Sequence, residues 1–502
     1  MTFSDPVFFL VFLPVALLGF QLLGRLGRGP ALAFLVCMSL VFYADWKKRY
    51  TLLLMASILL NYLFSLAIVR SAKRPSLQTF WLTLGIVTNL AALCYYKYLF
   101  SLLNFFTGIG VGHHVWAQAV LPLGISFFTF TQIAYLVDLK QGEAEQQGLL
   151  SYSIFVTFFP HLIAGPIIHH EEMMPQFNQR RRYQLNRSDV AVGLTWFTMG
   201  LFKKVMVADR ISPVADSFFA LTAGVGALPA WLAVLTYAMQ LYFDFSGYSD
   251  MAVGLARMFS IRFPFNFNSP YKASNIIDFW QRWHMTLTRY INLYLYNPMA
   301  VAMTRRRMRR GLKATKKAQR TLGGFSELIM APMLVTMFLA GVWHGAGMQF
   351  ILFGLVHGLY LTANHAWRIF VPEDSPWQRL LPRPVGVLLT FACVLVGQIF
   401  FRSASARSAF EVLGDITGRH GLGAGWPMGQ IVLIAVLLTV VWVMPNTQEI
   451  LGETHEDSQK NWSVLTGVRW SPTIVWWATI AAVLVVSIFY SAAGSTFLYF
   501  QF

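Results

Sequence analysis

Long uncharged stretches recur along the chain and predict helices that cross a membrane. No charged residue occurs from Ser471 to Phe502, and Pro384–Phe401 and Gly429–Asn446 are uncharged as well. Crossing the hydrocarbon core takes about 20 apolar residues as a helix, and only helices and closed barrels satisfy their backbone groups there. Because these stretches do not alternate apolar and polar residues as barrel strands do, we predict helices.

Apolar segments of this kind are spread over the whole chain. They lie near residues 7–24, 31–46, 51–69, 79–95, 98–110, 118–137, 150–168, 190–206, 228–256, 326–345, 347–369, 384–401, 429–446 and 471–491. Several are short or interrupted by proline and glycine, so we predict about ten to twelve spans, with re-entrant or interfacial helices for the rest. The first segment has its positive charges after it, at Arg25 and Arg28, which indicates a membrane helix and not a cleaved signal peptide. Without an internal repeat, a single membrane domain over residues 1–502 is the simplest interpretation.

Composition excludes a soluble protein of this size. The chain is 56% hydrophobic and 12% charged, whereas an ordinary soluble domain carries about 25% charged residues. The net charge of +17, from 39 Lys+Arg against 22 Asp+Glu, could suggest nucleic-acid binding. We instead interpret it as the basic bias of cytoplasmic loops, and we predict no nucleic-acid partner. Cys37, Cys94 and Cys393 share no motif, so we expect buried small side chains and neither a disulfide nor a zinc site.

One strongly basic segment indicates which side of the membrane is cytoplasmic. Residues 305–320 hold nine Lys and Arg residues and no acid. We place this loop, about residues 303–322, in the cytoplasm, where positive loops accumulate. It also suits contact with anionic membrane lipid or with a phosphorylated donor.

Polar residues enter one long apolar segment, residues 228–256. Asp244 and Asp250 lie within it, and Tyr248 shares a helical face with Asp244. Together with Ser246 and Ser249 they predict either a polar cavity or a hydrogen-bonded seam between helices.

Three further blocks combine histidine with apolar or aromatic neighbours. In Phe279–Thr288, Trp280 and His284 are four apart and Arg282 can pair with Asp278, which predicts an interfacial amphipathic helix in which the histidine is more often structural.

His344 ends a long apolar run between Gly341 and Gly345, and its side chain suits proton transfer near neutral pH. His161 lies where Pro160, Gly165 and Pro166 break an apolar stretch. His169 and His170 follow. Because adjacent side chains point apart on a helix, we predict no metal site from this pair, and none elsewhere.

These blocks, in this order, resemble the membrane-bound O-acyltransferase (MBOAT) family, and most of all bacterial alginate O-acetylases and related polysaccharide acetylases. The matching stretches are Phe42–Trp46, Tyr96–Tyr98, Leu121–Phe127, Phe159–Pro166, Tyr242–Ala252, Phe265–Tyr271, Phe279–His284, Trp343–Ala346 and Phe497–Phe502.

The resemblance implies an all-α polytopic membrane protein, an MBOAT-like ring of tilted helices around a central tunnel. It implies that His344 and His284 are catalytic, although they are 60 residues apart in sequence. The other residues that we predict to line the tunnel or bind substrate are Trp343, Asp244, Ser246, Tyr248, Asp250, Asn268, Trp280, Arg282, Trp283 and His161.

The resemblance also implies an activity: transfer of an acyl group, acetyl in the first place, from a cytosolic thioester such as acetyl-CoA to a hydroxyl of an exported polysaccharide or glycan. It implies the bacterial inner membrane, no bound cofactor, and a periplasmic SGNH-type acetyltransferase as a partner. With no Ser or Cys beside His344, direct transfer with His344 as general base is favoured.

Two alternatives remain open. One is transfer of D-alanyl or another acyl group from a carrier protein to a cell-envelope polymer. The other, from a different class, is a transporter that relays protons through Asp244, Asp250 and His344. The chain departs from alginate acetylases at Thr288–Pro298 and carries His169 and His170 where relatives often carry Arg, so we do not assign alginate as the acceptor.

Overall fold

The computed structural model describes residues 1–108, 120–184, 186–221, 224–372, 375, 382–453, 467–491 and 497–498, and helices dominate them. In chain order, its α-helices are α1 (Leu13–Leu26), α2 (Arg28–Ala44), α3 (Lys48–Arg70), α4 (Pro75–Cys94), α5 (Phe100–Gly108), α6 (Ile125–Gln141), α7 (Leu149–Thr157), α8 (Phe159–Leu162), α9 (His170–Phe177), α10 (Arg187–Phe202), α11 (Asp209–Ala220), α12 (Ala227–Met258), α13 (Ile276–Trp280), α14 (Met285–Ile291), α15 (Asn297–Arg309), α16 (Lys316–Gln319), α17 (Leu322–Phe325), α18 (Ala331–His344), α19 (Met348–Phe370), α20 (Arg383–Arg402), α21 (Ala406–Ile416), α22 (Met428–Val443), α23 (Thr447–Leu451) and α24 (Ile474–Ser491). Short π-helical segments extend several of them, at Phe8–Phe12, Tyr95–Leu99, Lys203–Ala208, Asn292–Tyr296 and Ser326–Met330.

Seven helical stretches of the described residues are long and apolar enough to cross a membrane. They are Phe8–Leu26, Lys48–Arg70, Pro75–Asn104, Arg187–Ala220, Leu322–His344, Arg383–Arg402 and Ile474–Ser491, and α2 and α22 are shorter apolar helices. Two further helices, α12 with 32 residues and α19 with 23, are more polar but are also long enough to cross a membrane. The predicted class, an all-α polytopic membrane protein, is confirmed.

The outer faces of these helices are apolar, as a lipid-facing surface requires. On α24, Ile474 is 86% exposed and Phe489 80% exposed. The prediction that the cysteines are buried is wrong. Cys37 and Cys94 are exposed, and Cys393 is intermediate in exposure. In a membrane protein an apolar stretch need not be buried in the protein, since lipid covers its outer face.

Backbone packing divides the chain into two compact units, each built from segments that are distant in sequence. Among the described residues, the first unit contains those within Met1–Met206, Asp244–Phe265 and Pro472–Gln501, and the second contains those within Val207–Phe243 and Asn266–Ser471. Helix α12 therefore contributes its first part to the second unit and its last part to the first. Among the terminal residues Phe497–Phe502 of the family resemblance, those beyond Leu498 lie outside the described residues.

In the first unit, the predicted break in the apolar stretch 150–168 is confirmed. Helix α7 ends at Thr157, α8 is a single turn at Phe159–Leu162, and no helix forms again until α9 begins at His170. The proline at the second position of α8 lacks the amide hydrogen needed to continue a helix from α7. The freed amide of Phe159 donates to Ser39 Oγ at 3.1 Å, so the broken backbone is satisfied from α2.

A close crossing and a buried ion pair join the end of α10 to the last part of α12. A Cβ at Gly200 would lie 2.5 Å from the carbonyl oxygen of Gly247, so only glycine allows this approach. Lys204, which follows α10, reaches Asp244 at 2.6 Å, and both side chains are at most 3% exposed. The predicted polar seam between helices is thus what the structure shows for Asp244.

In the second unit, α18 and α19 form a tight antiparallel hairpin. A Cβ at Gly354 would lie 2.2 Å from the carbonyl oxygen of Met337, and one at Gly341 would lie 2.4 Å from that of Phe350. The hairpin turns at Gly345, just after His344. At its other end, the ring of Phe325 packs on that of Phe370, with centroids 5.3 Å apart.

The basic segment packs at that same end of the hairpin. Arg307 and Arg310 donate to Glu327 Oε2 at 2.9 and 2.7 Å. Ala314 packs against the small apolar cluster of residues 325, 328 and 329, which Ile369 of α19 also contacts. The basic segment and the last turn of α19 therefore lie at one end of the hairpin, and His344 lies at the other.

One predicted helix is wrong. Residues 279–288 do not form a continuous amphipathic helix, because α13 ends at Trp280 and α14 begins at Met285. Residues 281–285 instead pair with 266–268: Asn268 N donates to the Arg282 carbonyl at 3.0 Å, and Met285 N donates to the Asn266 carbonyl at 2.9 Å. Hydrogen bonds to a distant segment override the local helical pattern here.

The Lys204–Asp244 pair provides a test of the first unit. We expect Asp244→Asn to lower the free energy of unfolding by about 3–5 kcal/mol, because it leaves the Lys204 charge buried without its partner. Asp216→Asn is the matched control. It breaks the 2.7 Å pair with Arg402, in which Asp216 is 50% exposed, and should cost at most about 1 kcal/mol. Thermal unfolding in detergent measures both, and equal midpoints for the two variants would contradict the prediction.

Candidate functional site

His344 lies at the C-terminal end of α18, in a pocket of aromatic rings. It is 9% exposed. Its ring centroid is 4.7 Å from that of Trp343, 5.5 Å from Phe353 and 4.9 Å from Phe401. The pocket draws on three elements, since Phe353 belongs to α19 and Phe401 to α20. Such walls fix the orientation of the imidazole and keep bulk water from it.

A series of rings leads from His344 along α19 to α13. Phe353 contacts His344 on one side and His357 on the other, with ring centroids 5.5 and 4.8 Å apart. His357 in turn lies 5.2 Å from the ring of Trp280. The structure therefore joins two predicted site residues, His344 and Trp280, through Phe353 and His357.

His357, which lies in this series of rings, is a further candidate site residue. It is 1% exposed, and its Nδ1 has no hydrogen-bond partner among the described residues. A Cβ at Gly397 of α20 would lie 2.2 Å from His357 Nε2, so the ring occupies space that a glycine leaves open. A buried polar atom without a partner carries a desolvation cost, and such atoms are frequent in sites that receive a ligand. Its spacing from His344 gave no signal in the sequence.

His284 is held in an uncommon backbone conformation by the pairing of residues 266–268 with 281–285. Its φ of 44° lies in the left-handed region, which side chains other than glycine rarely adopt. Its Nδ1 lies 3.2 Å from Asn266 Oδ1, and Thr286 Oγ1 donates to the same oxygen at 2.6 Å. Asn266 therefore orients His284, a role that the sequence reading did not assign to it.

This hydrogen bond decides which nitrogen of His284 carries the proton. Burial lowers the pKa of His284 to about 3, so the ring is neutral at pH 7. Because the Asn266 oxygen can only accept, His284 Nδ1 donates to it and Nε2 keeps its lone pair. A neutral ring in this tautomer accepts a hydrogen bond from a hydroxyl or a thiol. It does not donate to an oxyanion.

The remaining candidates of this block support the turn around His284. Arg282 Nε donates to Asp278 at 2.6 Å, which confirms the predicted pair. Trp283 stacks on Phe279 with centroids 5.7 Å apart. Asn268 Oδ1 accepts from Asn446 Nδ2 at 3.0 Å and from Gln448 Nε2 at 2.9 Å. These contacts place the three residues around the turn that carries His284.

A cavity of about 830 Å³ adjoins this block. Asp278 and Arg282 line it from one side, and Arg368 and Arg383 line it from α19 and α20. Its α19 residues run from Tyr360 to Arg368, next to the end of the hairpin where the basic segment packs. Tyr360 contacts the ring of His357 at 5.8 Å, so the cavity adjoins the series of rings.

The other predicted site residues belong to the first unit and are held in other contacts. Asp244 pairs with Lys204, and Asp250 with Lys203 at 2.6 Å. Tyr248 packs on Phe3 and Phe497, with ring centroids 4.9 and 4.6 Å away. Ser246 is 1% exposed on the same helix.

His161, in the single turn of α8, is 4% exposed, and its ring lies 5.8 Å from that of Phe263.

A buried histidine among aromatic rings, a second histidine held by a hydrogen bond and an apolar helical frame make up the candidate site. The model of the MBOAT, membrane-bound O-acyltransferase family matches residues 31–315. The chain belongs to this family and is an O-acyltransferase. The transporter alternative is therefore not carried further.

Three of its relatives have different names. The peptidoglycan O-acetyltransferase of Helicobacter pylori is 36% identical over 100% of this chain and 97% of its own length. The probable alginate O-acetylase AlgI of Azotobacter vinelandii is 37% identical over 82% of this chain and 77% of its own. The teichoic acid D-alanyltransferase of Bacillus subtilis is 28% identical over 58% of this chain and 70% of its own.

The tautomer of His284 generates a prediction. We expect Asn266→Ala to reduce acyl transfer roughly tenfold to a hundredfold, because the loss of one partner of a buried hydrogen bond costs about 1–3 kcal/mol. Asn266→Asp keeps an acceptor oxygen for Nδ1 and should retain more activity than Asn266→Ala. His284→Ala is the reference for complete loss of the ring. Full activity in Asn266→Ala, measured as thiol release from an acyl thioester, would remove the orienting role.

Proposed function

We propose that this protein transfers an acyl group, acetyl in the first place, from a thioester donor to a hydroxyl of an exported polysaccharide or glycan, or to a periplasmic acetyl-relay partner. The observation that carries the proposal is His344, buried among aromatic rings at the hairpin end opposite the basic segment. Its block, Trp343–Ala346, is the one whose histidine the family resemblance makes catalytic.

In the proposed reaction, His344 acts as general base. A sugar hydroxyl attacks the thioester carbonyl carbon while its proton passes to the imidazole, and the new C–O bond forms. The C–S bond then breaks, and the imidazolium returns the proton to the leaving thiolate, giving an ester and a free thiol. No Ser or Cys adjoins His344 in the sequence, which favours this direct transfer over an acyl-enzyme.

The position of His344 at a helix end suits this role. The C-terminus of a helix carries partial negative charge and stabilises a cation there by about 0.3–1 kcal/mol, or more where it is partly buried. His344 is the last residue of α18, so the imidazolium that forms during transfer is favoured. The aromatic pocket also limits water, which would otherwise compete with the hydroxyl for the thioester.

His284 has a different role in the proposal. Its Nε2 keeps a lone pair, so it accepts a hydrogen bond from the attacking hydroxyl or from the thiol part of the donor. His284 is not an oxyanion donor in this proposal, because a neutral ring whose only N–H points to Asn266 has no second hydrogen to donate. An oxyanion forms when the hydroxyl attacks the thioester carbonyl. In the proposal, Trp343 Nε1 or a backbone amide stabilises it.

The donor is proposed to enter from the cytoplasm, at the end of the hairpin that carries the basic segment. Positive loops accumulate on the cytoplasmic side of membrane proteins. The cavity beside α13 lies at this end, and Arg368 and Arg383 give it a cationic lining that suits the phosphates of acetyl-CoA. From there the series of rings runs past His357 and Phe353 to His344. No bound cofactor is invoked, since the thioester is a substrate.

The acceptor is proposed to lie on the extracytoplasmic side of a bacterial inner membrane. The relatives named for peptidoglycan and alginate suggest a glycan hydroxyl. The full-length match to the peptidoglycan enzyme makes peptidoglycan the first glycan to test. A periplasmic SGNH-type acetyltransferase remains the proposed partner for delivery to a polymer.

One relative favours a second donor chemistry. The match to a teichoic acid D-alanyltransferase supports the alternative that a carrier protein supplies D-alanyl or another acyl group. A carrier would present an acidic surface, and the exposed arginines and lysines of the basic segment suit such a surface.

The proposed reaction is tested by thiol release from acetyl-CoA by the purified protein, with and without candidate glycans. His344→Ala should lower the rate at least a thousandfold, because the proton of the hydroxyl loses its acceptor. His365→Ala, near the other end of α19, is the control and should retain wild-type turnover. Size-exclusion chromatography shows whether both variants are folded. Wild-type turnover in a folded His344→Ala protein would refute the mechanism.

The donor path is tested by the two arginines of the cavity. Arg368→Gln and Arg383→Gln should each raise the KM for acetyl-CoA about threefold to tenfold and leave kcat nearly unchanged, because a phosphate contact contributes about 1 kcal/mol. Arg407→Gln, on α21, is the matched control. An unchanged KM in both cavity variants would place the donor elsewhere.

A further inference from the structure

The series of rings that leads from the cavity toward His344 continues one turn beyond Phe353. Four aromatic residues of α19 are three or four positions apart and so share one face of the helix: Tyr360, His357, Phe353 and Phe350. Tyr360 lines the cavity and contacts His357, and Phe353 contacts both His357 and His344. Phe350 is therefore the next ring on this face, on the side of His344 that lies away from the cavity.

Phe401 of α20 packs against this end of the series. Its ring centroid lies 4.9 Å from that of His344, 5.2 Å from that of Phe353 and 5.6 Å from that of Phe350. Separations of about 4.5–7 Å are those of aromatic rings in contact. The cavity is lined by the first half of α20, residues 383–393, whereas Phe401 lies in its last turn. We call the rings of Phe350 and Phe401 the end wall.

Local contacts hold the end wall against His344. A Cβ at Gly345 would lie 2.3 Å from Phe350 Cε2, so the Phe350 ring occupies space that the residue after His344 leaves open. Gln349 Nε2 donates to the carbonyl oxygen of Ala404 at 3.2 Å, which ties the start of α19 to the residues that follow α20. Because a close-packed interior leaves little room for a ring to move, the end wall yields little to a substrate.

The geometry of the proposed reaction directs the acyl group toward the end wall. The attacking oxygen lies about 3 Å from the imidazole nitrogen that takes its proton and about 3–3.5 Å from the thioester carbonyl carbon. The thioester carbonyl therefore lies beside the ring of His344. An acyl chain and a thiol arm leave a thioester group in opposite directions. Because the arm in the proposed function arrives from the cavity, the acyl chain points past His344 to the end wall.

We propose that Phe350 and Phe401 restrict the transferred group to acetyl, because their rings occupy the space that the further carbons of a longer acyl chain would need. The inference rests on the proposed function and adds to it the residues that select the acyl group. One methylene more than a pocket accommodates lowers the specificity constant about tenfold or more. Extra methylenes forced into a packed group push its side chains away from their preferred conformations.

Packing of the helices alone is the competing explanation, and α20 offers a matched control. Phe391 is 7% exposed, as Phe401 is. The Phe391 ring also packs between two others, 5.1 Å from the ring of Tyr271 and 5.5 Å from that of Trp442. Removal of either phenylalanine ring takes away the same number of atoms, but only the space left by Phe401 adjoins His344. A role in packing alone would give the two variants the same acyl preference.

The test compares kcat/KM for acetyl-CoA, propionyl-CoA and butyryl-CoA, measured as thiol release by the full-length protein in detergent with one acceptor glycan throughout. Wild type should use butyryl-CoA at least about a hundredfold less well than acetyl-CoA. Phe401→Ala should raise the ratio of butyryl to acetyl turnover at least about tenfold, whereas Phe391→Ala should leave it at the wild-type value. Because the ratio does not depend on the amount of folded protein, partial unfolding of a variant does not imitate the effect.

Phe350→Ala keeps the inference testable if Phe401→Ala does not fold, because Phe350 is only partly buried. It should raise the same ratio about threefold to tenfold. A wild type that uses butyryl-CoA as well as acetyl-CoA, or end-wall variants with the wild-type ratio, would overturn the inference and leave the proposed function intact. No thiol release by wild type from any of the three thioesters would contradict the proposed function, and the inference would fall with it.

Discussion

The close packing of α18 against α19 is the constraint on which the candidate site depends. Glycines at 341 and 354 let the two backbones approach until a single Cβ would meet a carbonyl oxygen at 2.2–2.4 Å. At this separation, residues of α19 reach the end of α18, and Phe353 lies against the ring of His344. A larger side chain at either glycine would move the helices apart and open the pocket. In the proposed reaction a histidine carries the chemistry, but its surroundings are set by two glycines, which have no side chain.

The second constraint is a short pairing between residues 266–268 and 281–285. It replaces a helix with a turn, and the turn presents His284 with its Nδ1 against Asn266. Two histidines of one protein thus acquire different surroundings. His344 lies among aromatic rings at the end of a helix, and His284 is buried in a setting that keeps it neutral. Separate environments of this kind let two identical side chains take different roles in one reaction.

The sequence predicted those features of the architecture that depend on residues close together along the chain. The uncharged runs predicted helices, Pro160 predicted the break before α8, and the four-residue spacing predicted the pair of Asp278 with Arg282. Features that depend on distant segments could not be predicted. The partner of Asp244 is Lys204, 40 residues away, and the turn at His284 is imposed by Asn266. The prediction that His169 and His170 point apart was wrong, because only His170 is helical, and their ring centroids lie 4.4 Å apart. The exposure of Cys37 and Cys94 was not predicted, because apolar side chains can face lipid on the outside of a membrane protein.

In the proposed reaction, the series of rings between the cavity and His344 also affects how much thioester donor is lost to hydrolysis. A thioester is an activated compound, and an enzyme that admitted water alongside it would hydrolyse the donor without making product. Each such turnover would waste the energy that the cell had stored in the acyl bond. Of the three rings on this path, Phe353 has no polar atom, and His357 and Trp280 contribute only their ring nitrogens as groups that could hold water. The same rings that orient the base would therefore limit the idle consumption of donor when no acceptor is bound.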